Sequence, residues 1–263
     1  MSDPSPIVRI FDEASDAYDN VGVEFFRPLG VELVRAVEPK PGERVLDAGC
    51  GTGAVLVPVA EAVGSGGYVV GIDLAPGMVA RSQATATGLD QVVVQSGDAQ
   101  QPDFPDGSFD VITSGLVLFF LPDPPAALTA YRKLLTPRGR LAFSCFAQHD
   151  PRYGQAMKIL ARFADDAPPE RKLHPMFDSA ESLHAAALTA GFASAEVSEA
   201  TVRSEFNDAA HLYEWIGSHG GREMVDRIPI SRRSVAISHL ASEIPEPLDF
   251  TTRIRIVVAH RTP

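Results

Sequence analysis

Val45-Leu46-Asp47-Ala48-Gly49-Cys50-Gly51-Thr52-Gly53 runs a short apolar strand straight into a glycine-rich turn, and Ala54 to Val63 then reads as a helix ended by Gly64. Glycines in such a turn let the backbone approach a ligand closely, and a helix N-terminus offers unpaired N–H groups. The alternation continues outward. Tyr68 to Ile72 is a second strand, and Pro76 opens a helix that Gly88 closes. Val92 to Gln95, Phe109 to Thr113 and Arg140 to Phe146 are the third to fifth strands. Before the fifth, Asp123-Pro124-Pro125 caps a helix carrying Leu128, Tyr131, Leu134 and Leu135. Strand-helix-strand repetition at this pace requires right-handed crossovers and a parallel sheet covered on both faces. The fold class is α/β.

Upstream, residues 1–6 are Pro/Ser-rich and expected to be disordered, and Ile7 to about Leu33 is helical, with Ile10, Phe11, Ala14 and Tyr18 on one face. After Phe146 the rhythm changes. Gln155 to Ala164 and Ala180 to Ala190 read as helices, while Ala195 to Val202 and the alternating Arg253 to Ala259 read as strands. Asn207 to Leu248, between those strands, is helical. There is no internal repeat and no low-complexity linker, which predicts one domain with inserted helices. Pro58 falls inside the helix after the glycine turn and predicts a local kink.

Composition narrows the function classes. With 263 residues the chain can bury a full core, and its net charge of −11 is the wrong sign for neutralising many phosphates, so no nucleic-acid partner is expected. The longest apolar stretch, Val111 to Leu121, is broken by Thr113, Ser114 and Gly115, and no membrane span is expected. The first residues have no basic or apolar region of a secretory signal. Cys50 and Cys145 form neither a disulfide framework nor a metal spacing, which fits a reducing, cytoplasmic setting. No His/Asp/Glu cluster has metal-ligand spacing, so no metal is expected.

Two carboxylates sharpen the glycine turn. Asp73 ends the second strand, 26 residues after Asp47, where a carboxylate accepts hydrogen bonds from ribose hydroxyls. Asp98 follows the third strand in Gly97-Asp98-Ala99-Gln100, placed to accept from an adenine amine. All three acids stand at carboxyl ends of successive strands, where open α/β sheets bind ligands. Plainer roles compete: Asp47 as a turn cap, Asp73 as a helix N-cap ahead of Pro76.

At this point the sequence resembles the class I S-adenosylmethionine-dependent methyltransferases, within the group similar to the ubiquinone/menaquinone methyltransferases. The matching pieces are Leu46 to Gly53, Gly71-Ile72-Asp73-Leu74-Ala75-Pro76-Gly77-Met78 and Gly97-Asp98-Ala99. Phe104-Pro105-Asp106-Gly107-Ser108-Phe109-Asp110 and Leu135-Thr136-Pro137-Arg138-Gly139-Arg140 complete them. The resemblance implies a Rossmann-like, doubly wound seven-stranded sheet of order 3-2-1-4-5-7-6, last strand antiparallel, with helical lid insertions. It divides the single domain of residues 1–263 into a helical cover (1–40), a cofactor-binding core (41–149) and acceptor-recognition helices with the last two strands (150–263).

It also implies roles. Asp47 and the backbone of Gly49 and Gly51 would face the methionine end of S-adenosylmethionine, and Asp73 would hold the ribose hydroxyls. Leu74 and Met78 would lie against the adenine, with Asp98 and the Ala99 N–H reading its edge. Ser114, Gly115 and Leu116 would border the sulfonium, and Tyr18 belongs to an N-terminal helix that closes over the cofactor.

The sulfonium is already a good leaving group, so such a protein mainly aligns nucleophile, methyl and sulfur and excludes water. A hydroxyl or protonated amine acceptor would need a general base. His149, just beyond the fifth strand, is the first candidate, against the plainer role of a surface histidine closing a loop. His219, in the inserted helices, is the second. Tyr153, Tyr213 and Trp215 are candidates for an apolar acceptor pocket, against ordinary helix packing. Phe119-Phe120 reads as core or pocket wall. Cys50 has no paired histidine and is not expected to act as a nucleophile.

The favoured function is methyl transfer to an O, N or C atom of a small organic molecule, of the kind made in secondary metabolism, releasing S-adenosylhomocysteine. A quinone-ring C-methyltransferase and a cofactor-binding cyclase or regulator that transfers no methyl are the alternatives. An NAD-dependent oxidoreductase is weaker, because the glycine turn lacks GxGxxG spacing.

Overall fold

In the computed structural model, which describes residues 6–168 and 172–262, strand β1 (Arg44–Ala48) is buried from Val45 onward. A strand with no exposed face belongs at the centre of a covered sheet. It pairs in parallel with β2 (Tyr68–Asp73) on one side and β4 (Phe109–Gly115) on the other. The chain therefore reverses its strand order at β1, and the crevice that this opens lies at the carboxyl ends of the strands. Strand β3 (Val92–Ser96) lies outside β2, and β5 (Leu135–Gln148) lies outside β4, both parallel. The antiparallel β7 (Asp249–His260) and then β6 (Ser194–Glu205) complete a seven-stranded sheet of order 3-2-1-4-5-7-6. This is the order that the resemblance implied. Both halves of the chain contribute to this one sheet.

Successive strand residues point to opposite faces, and two cores follow from that period. Val45, Val111, Ala142 and Ile256 face one core; Leu46, Ile112, Leu141, Phe143 and Val257 face the other. The first core is covered by α2 (Phe26–Val37) and α3 (Leu56–Val63), and by α6 (Pro151–Ala161), α8 (Ala209–Gly217), α9 (Arg222–Asp226) and α10 (Ile230–Glu243). The second is covered by α5 (Pro124–Leu134) and α7 (Ala180–Thr189). Two more helices, α1 (Pro6–Ala14) and α4 (Pro76–Thr85), pack on each other beside the crevice. No helix of the described residues is long and apolar enough to cross a membrane.

Three local expectations are corrected. The helix expected over Ile7–Leu33 is two helices, because Asp19 (φ 53°) and Gly22 (φ 78°) take left-handed backbone that no helix can contain. Pro58 causes no kink: α3 starts at Leu56, so the proline sits in the first turn, where an N–H has no helical partner to lose. Strand β5 begins at Leu135, directly after α5, so Leu135 is a strand residue. The disorder expected for residues 1–6 lies outside the described residues except at Pro6, which opens α1.

Candidate active site

The crevice holds a cavity of about 240 Å³, and its walls are the strand ends expected from the sequence. Gly49, Gly51, Asp73, Leu74, Met78, Asp98, Ala99, Gly115, Leu116 and Tyr18 all line it. The N–H groups of Gly49 and Cys50 both donate to the Ile72 carbonyl at 2.9 Å, and that of Gly51 donates to Asp73 Oδ2 at 3.0 Å. A Cβ on Gly49 would stand 2.5 Å from Val117 Cγ2 on a backbone of φ 78°, whereas one on Gly51 would meet nothing. The N–H groups of Gly49, Cys50 and Gly51 are therefore already committed within the protein.

Asp73 accepts from the backbone with both oxygens. Oδ1 accepts from the Ala75 N–H at 2.9 Å, closing the turn into α4, and Oδ2 holds Gly51. Each oxygen keeps a further lone pair for a hydroxyl donor. Burial raises its pKa, opposed by the backbone N–H groups of Ala75, Gly51 and Leu74.

Asp47 caps nothing. It is 1% exposed, its Oδ1 accepts from Thr113 Oγ1 at 2.8 Å, and its Oδ2 is buried with no partner. Desolvation raises its pKa to about 7, with the nearby Asp73 charge adding to the rise and the Thr113 bond opposing it. A buried carboxylate oxygen without a donor is costly unless something positively charged or hydrogen-bonding completes it. Residues present thus fit a cofactor with a ribose and a cationic amino-acid end.

Helix α1 walls the same cavity with Ile7, Val8 and Phe11. It is fastened there by Asp12, whose Oδ1 accepts from Gly77 N at 2.6 Å in the first turn of α4. Past the end of α1, Tyr18 stacks on Phe26 with ring centroids 4.3 Å apart.

A second cavity of about 110 Å³ adjoins the first, and Phe11, Tyr18, Leu116 and Phe120 are walls of both. The rest of its lining is Phe25, Phe26, Phe119, Phe146, His149, Tyr153, Trp215, His219 and Gly220. No Asp, Glu, Lys or Arg is among them. Both candidate histidines therefore face one apolar space. His149 lies between Phe146 (4.3 Å) and Tyr153 (5.1 Å), and desolvation lowers its pKa. His219 lies 4.6 Å from the Trp215 ring, and desolvation pushes its pKa down to about 4, with His149 adding to the fall. Both imidazoles are neutral at physiological pH. The Ser218 hydroxyl donates to the Trp215 carbonyl at 2.8 Å and has His219 Nδ1 3.4 Å away. With its one proton so committed, Ser218 Oγ can only accept from Nδ1–H, which leaves Nε2 as the basic nitrogen.

Two of the residues expected at the cofactor, Asp47 and Ser114, stand apart from both cavities. The Ser114 side chain is fully buried, donates to the Ala48 carbonyl at 3.0 Å, and lines neither cavity. Tyr213 is likewise outside the second cavity, whereas Tyr153 and Trp215 form its wall. Cys50 is buried and its thiol pKa raised well above the ordinary value by desolvation, so it stays protonated. Missed by sequence reasoning were Ile7, Val8, Phe25, Phe26 and Phe146. Each carries only an apolar signal, which core residues carry equally.

Comparison with known proteins gives a concordant result. Residues 46–143 match a methyltransferase domain. The chain is 36% identical over 251 residues to nocamycin O-methyltransferase of Saccharothrix syringae, covering 89% of each. It is 49% identical over 140 residues to aklanonic acid methyltransferase of Streptomyces sp. (strain C5), a match that spans 52% of this chain and 64% of that protein. Among solved structures, the YcgJ protein of Bacillus subtilis shares the fold at 20% identity and a TM-score of 0.59, covering 89% of this chain and 98% of that one. The chain belongs to the class I S-adenosylmethionine-dependent methyltransferases.

Proposed function

We propose that this protein transfers the methyl group of S-adenosylmethionine to an oxygen of a small, largely apolar organic acceptor of the natural-product kind, leaving S-adenosylhomocysteine. The observation that carries this reading is the pair of adjoining cavities, one edged by carboxylates and the other aromatic with two neutral imidazoles. Two relatives that act on nocamycin and aklanonic acid, by their names, support the acceptor class. Residues 41–149 would form the cofactor half, with residues 1–40 and 150–263 covering the acceptor.

The cofactor supplies a methyl group on a positively charged sulfur. Asp73 would take the ribose hydroxyls, Asp98 and the Ala99 N–H the adenine edge, and Leu74 and Met78 its faces. The unpaired Asp47 Oδ2 suits the cationic amino-acid end. Phe11, Tyr18, Leu116 and Phe120, the walls common to both cavities, would exclude water from the space between them, and a dry site strengthens every charge interaction within it. His219 Nε2, with His149 beside it, would take the proton that the acceptor hydroxyl loses as its oxygen gains the methyl. Charge then stays balanced: one positive charge leaves the sulfur and one arrives on an imidazole.

A screen of hydroxylated aromatic and carboxylic-acid small molecules with methyl-labelled S-adenosylmethionine tests the reading. The expected result is a product heavier by one methyl group in which the label sits on oxygen. Label on carbon or nitrogen would overturn the oxygen assignment, and a reaction without methyl gain would favour a cyclase.

A further inference from the structure

Beyond the cofactor and acceptor side chains, the wall between the two cavities has a support that no motif announces. Leu116 lines the carboxylate-edged cavity, the aromatic cavity and a third space of about 40 Å³ behind the glycine turn. Its backbone is left-handed, with φ 58°. A side chain with a Cβ disfavours that region, so something must hold it there. Gly115, just before it, is packed too closely to carry a side chain: a Cβ there would stand 2.8 Å from Val55 Cγ2.

The support is Ser144. It faces Gly115 in the β4–β5 ladder, at the last paired position of β4. Beyond that pair the Leu116 N–H has no strand partner, and it donates instead to Ser144 Oγ at 3.1 Å. Ser144 is 2% exposed and lines the third space. Leu116 is half-buried, and an N–H there that lost this acceptor would have no protein partner to hold the left-handed turn. The methyl group must reach an acceptor in the aromatic cavity, so it passes the shared walls Phe11, Tyr18, Leu116 and Phe120. Asp73, Leu74 and Asp98 line the first cavity alone.

We propose that Ser144 is a positioning residue for methyl transfer, holding Leu116 in the left-handed turn that shapes the space around the reacting methyl. The inference rests on the cofactor reading of the first cavity. Its reach is local: the sulfur end of the cofactor feels Ser144, and the adenosine end does not.

Calorimetric titration of the whole protein with adenosine, S-adenosylhomocysteine and S-adenosylmethionine separates those ends. Ser144→Ala should leave adenosine affinity within about twofold and change the ratio of S-adenosylmethionine to S-adenosylhomocysteine affinity by roughly threefold or more. Glycine adopts the left-handed region without help, so Ser144→Ala in a Leu116→Gly background should change that ratio by less than about twofold. Ser144→Thr, which keeps the hydroxyl, should retain the wild-type ratio. Equal weakening of all three probes, an unchanged ratio, or the same effect in both backgrounds would overturn the proposal in favour of a merely structural serine. If Ser144→Ala does not fold, amide exchange in the wild type decides: a protected Leu116 N–H supports the proposal and a fast-exchanging one overturns it. A wild type that binds none of the three probes would instead overturn the cofactor reading, and this inference with it.

Discussion

The two cavities meet along four residues yet are built on different principles. The carboxylate-edged one takes its acids and glycines from strand ends, each placed by a local rule: a strand stops, a turn follows, and a short acid or glycine stands at a fixed offset, with Ile7, Val8 and Phe11 of α1 closing one side. The aromatic one draws Phe25 and Phe26 from the start of α2, Phe119 and Phe120 from the turn after β4, and Phe146 and His149 from the end of β5. Tyr153 comes from α6, and Trp215 and His219 from α8 and its end. No local rule links these residues. Only the sheet, with β5, β6 and β7 bringing the inserted helices back over α2, brings them together. The first design suits a ligand that is always the same, and the second one that changes from protein to protein.

Substitutions that separate the cavities should separate binding from transfer. His219→Phe keeps an aromatic body in the second cavity and removes the basic nitrogen. With an acceptor identified by the label screen, kcat/KM should fall by roughly 10²–10⁴-fold, the range for a lost general base, while S-adenosylhomocysteine affinity holds. An intact rate would remove His219 from the mechanism and leave His149 as the candidate. The acid limb of the kcat/KM profile should lie well below the ordinary histidine range, because the neutral form that accepts a proton persists down to a pKa of about 4.

Asp73→Ala makes the complementary break. It deletes the proposed ribose acceptor and strands the Gly51 N–H, so S-adenosylhomocysteine affinity should weaken by about 1.5–3 kcal/mol, the scale of hydrogen bonds to a charged group. Calorimetry checks it, and unchanged affinity would sink the ribose assignment.

The smallest expected effect is a pH dependence. Asp47 has its folded-state pKa raised to about 7, so below that pH the ligand-free protein holds a proton there that a cationic ligand must displace. Affinity for S-adenosylmethionine should therefore rise with pH up to about 7 and level off above it, by at most about tenfold per pH unit. Protein stability without ligand has the opposite sign: a carboxyl raised by burial destabilises the fold as pH climbs from the ordinary carboxylate range toward 7. Asp47→Asn should flatten both curves; a curve that keeps its slope in that variant belongs to another group.

The same contrast explains what the sequence made legible. The strand order was implied by resemblance, and Asp73 and Asp98 line the first cavity where strand ends put them. Asp47 and Ser114 do not, because each still lies inside its strand, with Asp47 held by Thr113 and Ser114 turned to the Ala48 carbonyl. A motif does not show how far a strand runs before its backbone opens on the cavity, as it does at Gly115 and Leu116. The end of α1 at Ala14 was hidden because Phe11, Ala14 and Tyr18 keep helical spacing past it. The phenylalanines of the second cavity carry the hydrophobic signal of core residues, and only tertiary packing distinguishes the two.

The central claim is that these cavities divide cofactor from acceptor at Leu116. A crystal structure with S-adenosylhomocysteine tests it most directly. The account predicts the ribose on Asp73, the adenine between Leu74 and Met78, and the sulfur beside Leu116 facing the aromatic cavity. A ligand lying in the aromatic cavity, or one whose sulfur turns away from it, would contradict the division.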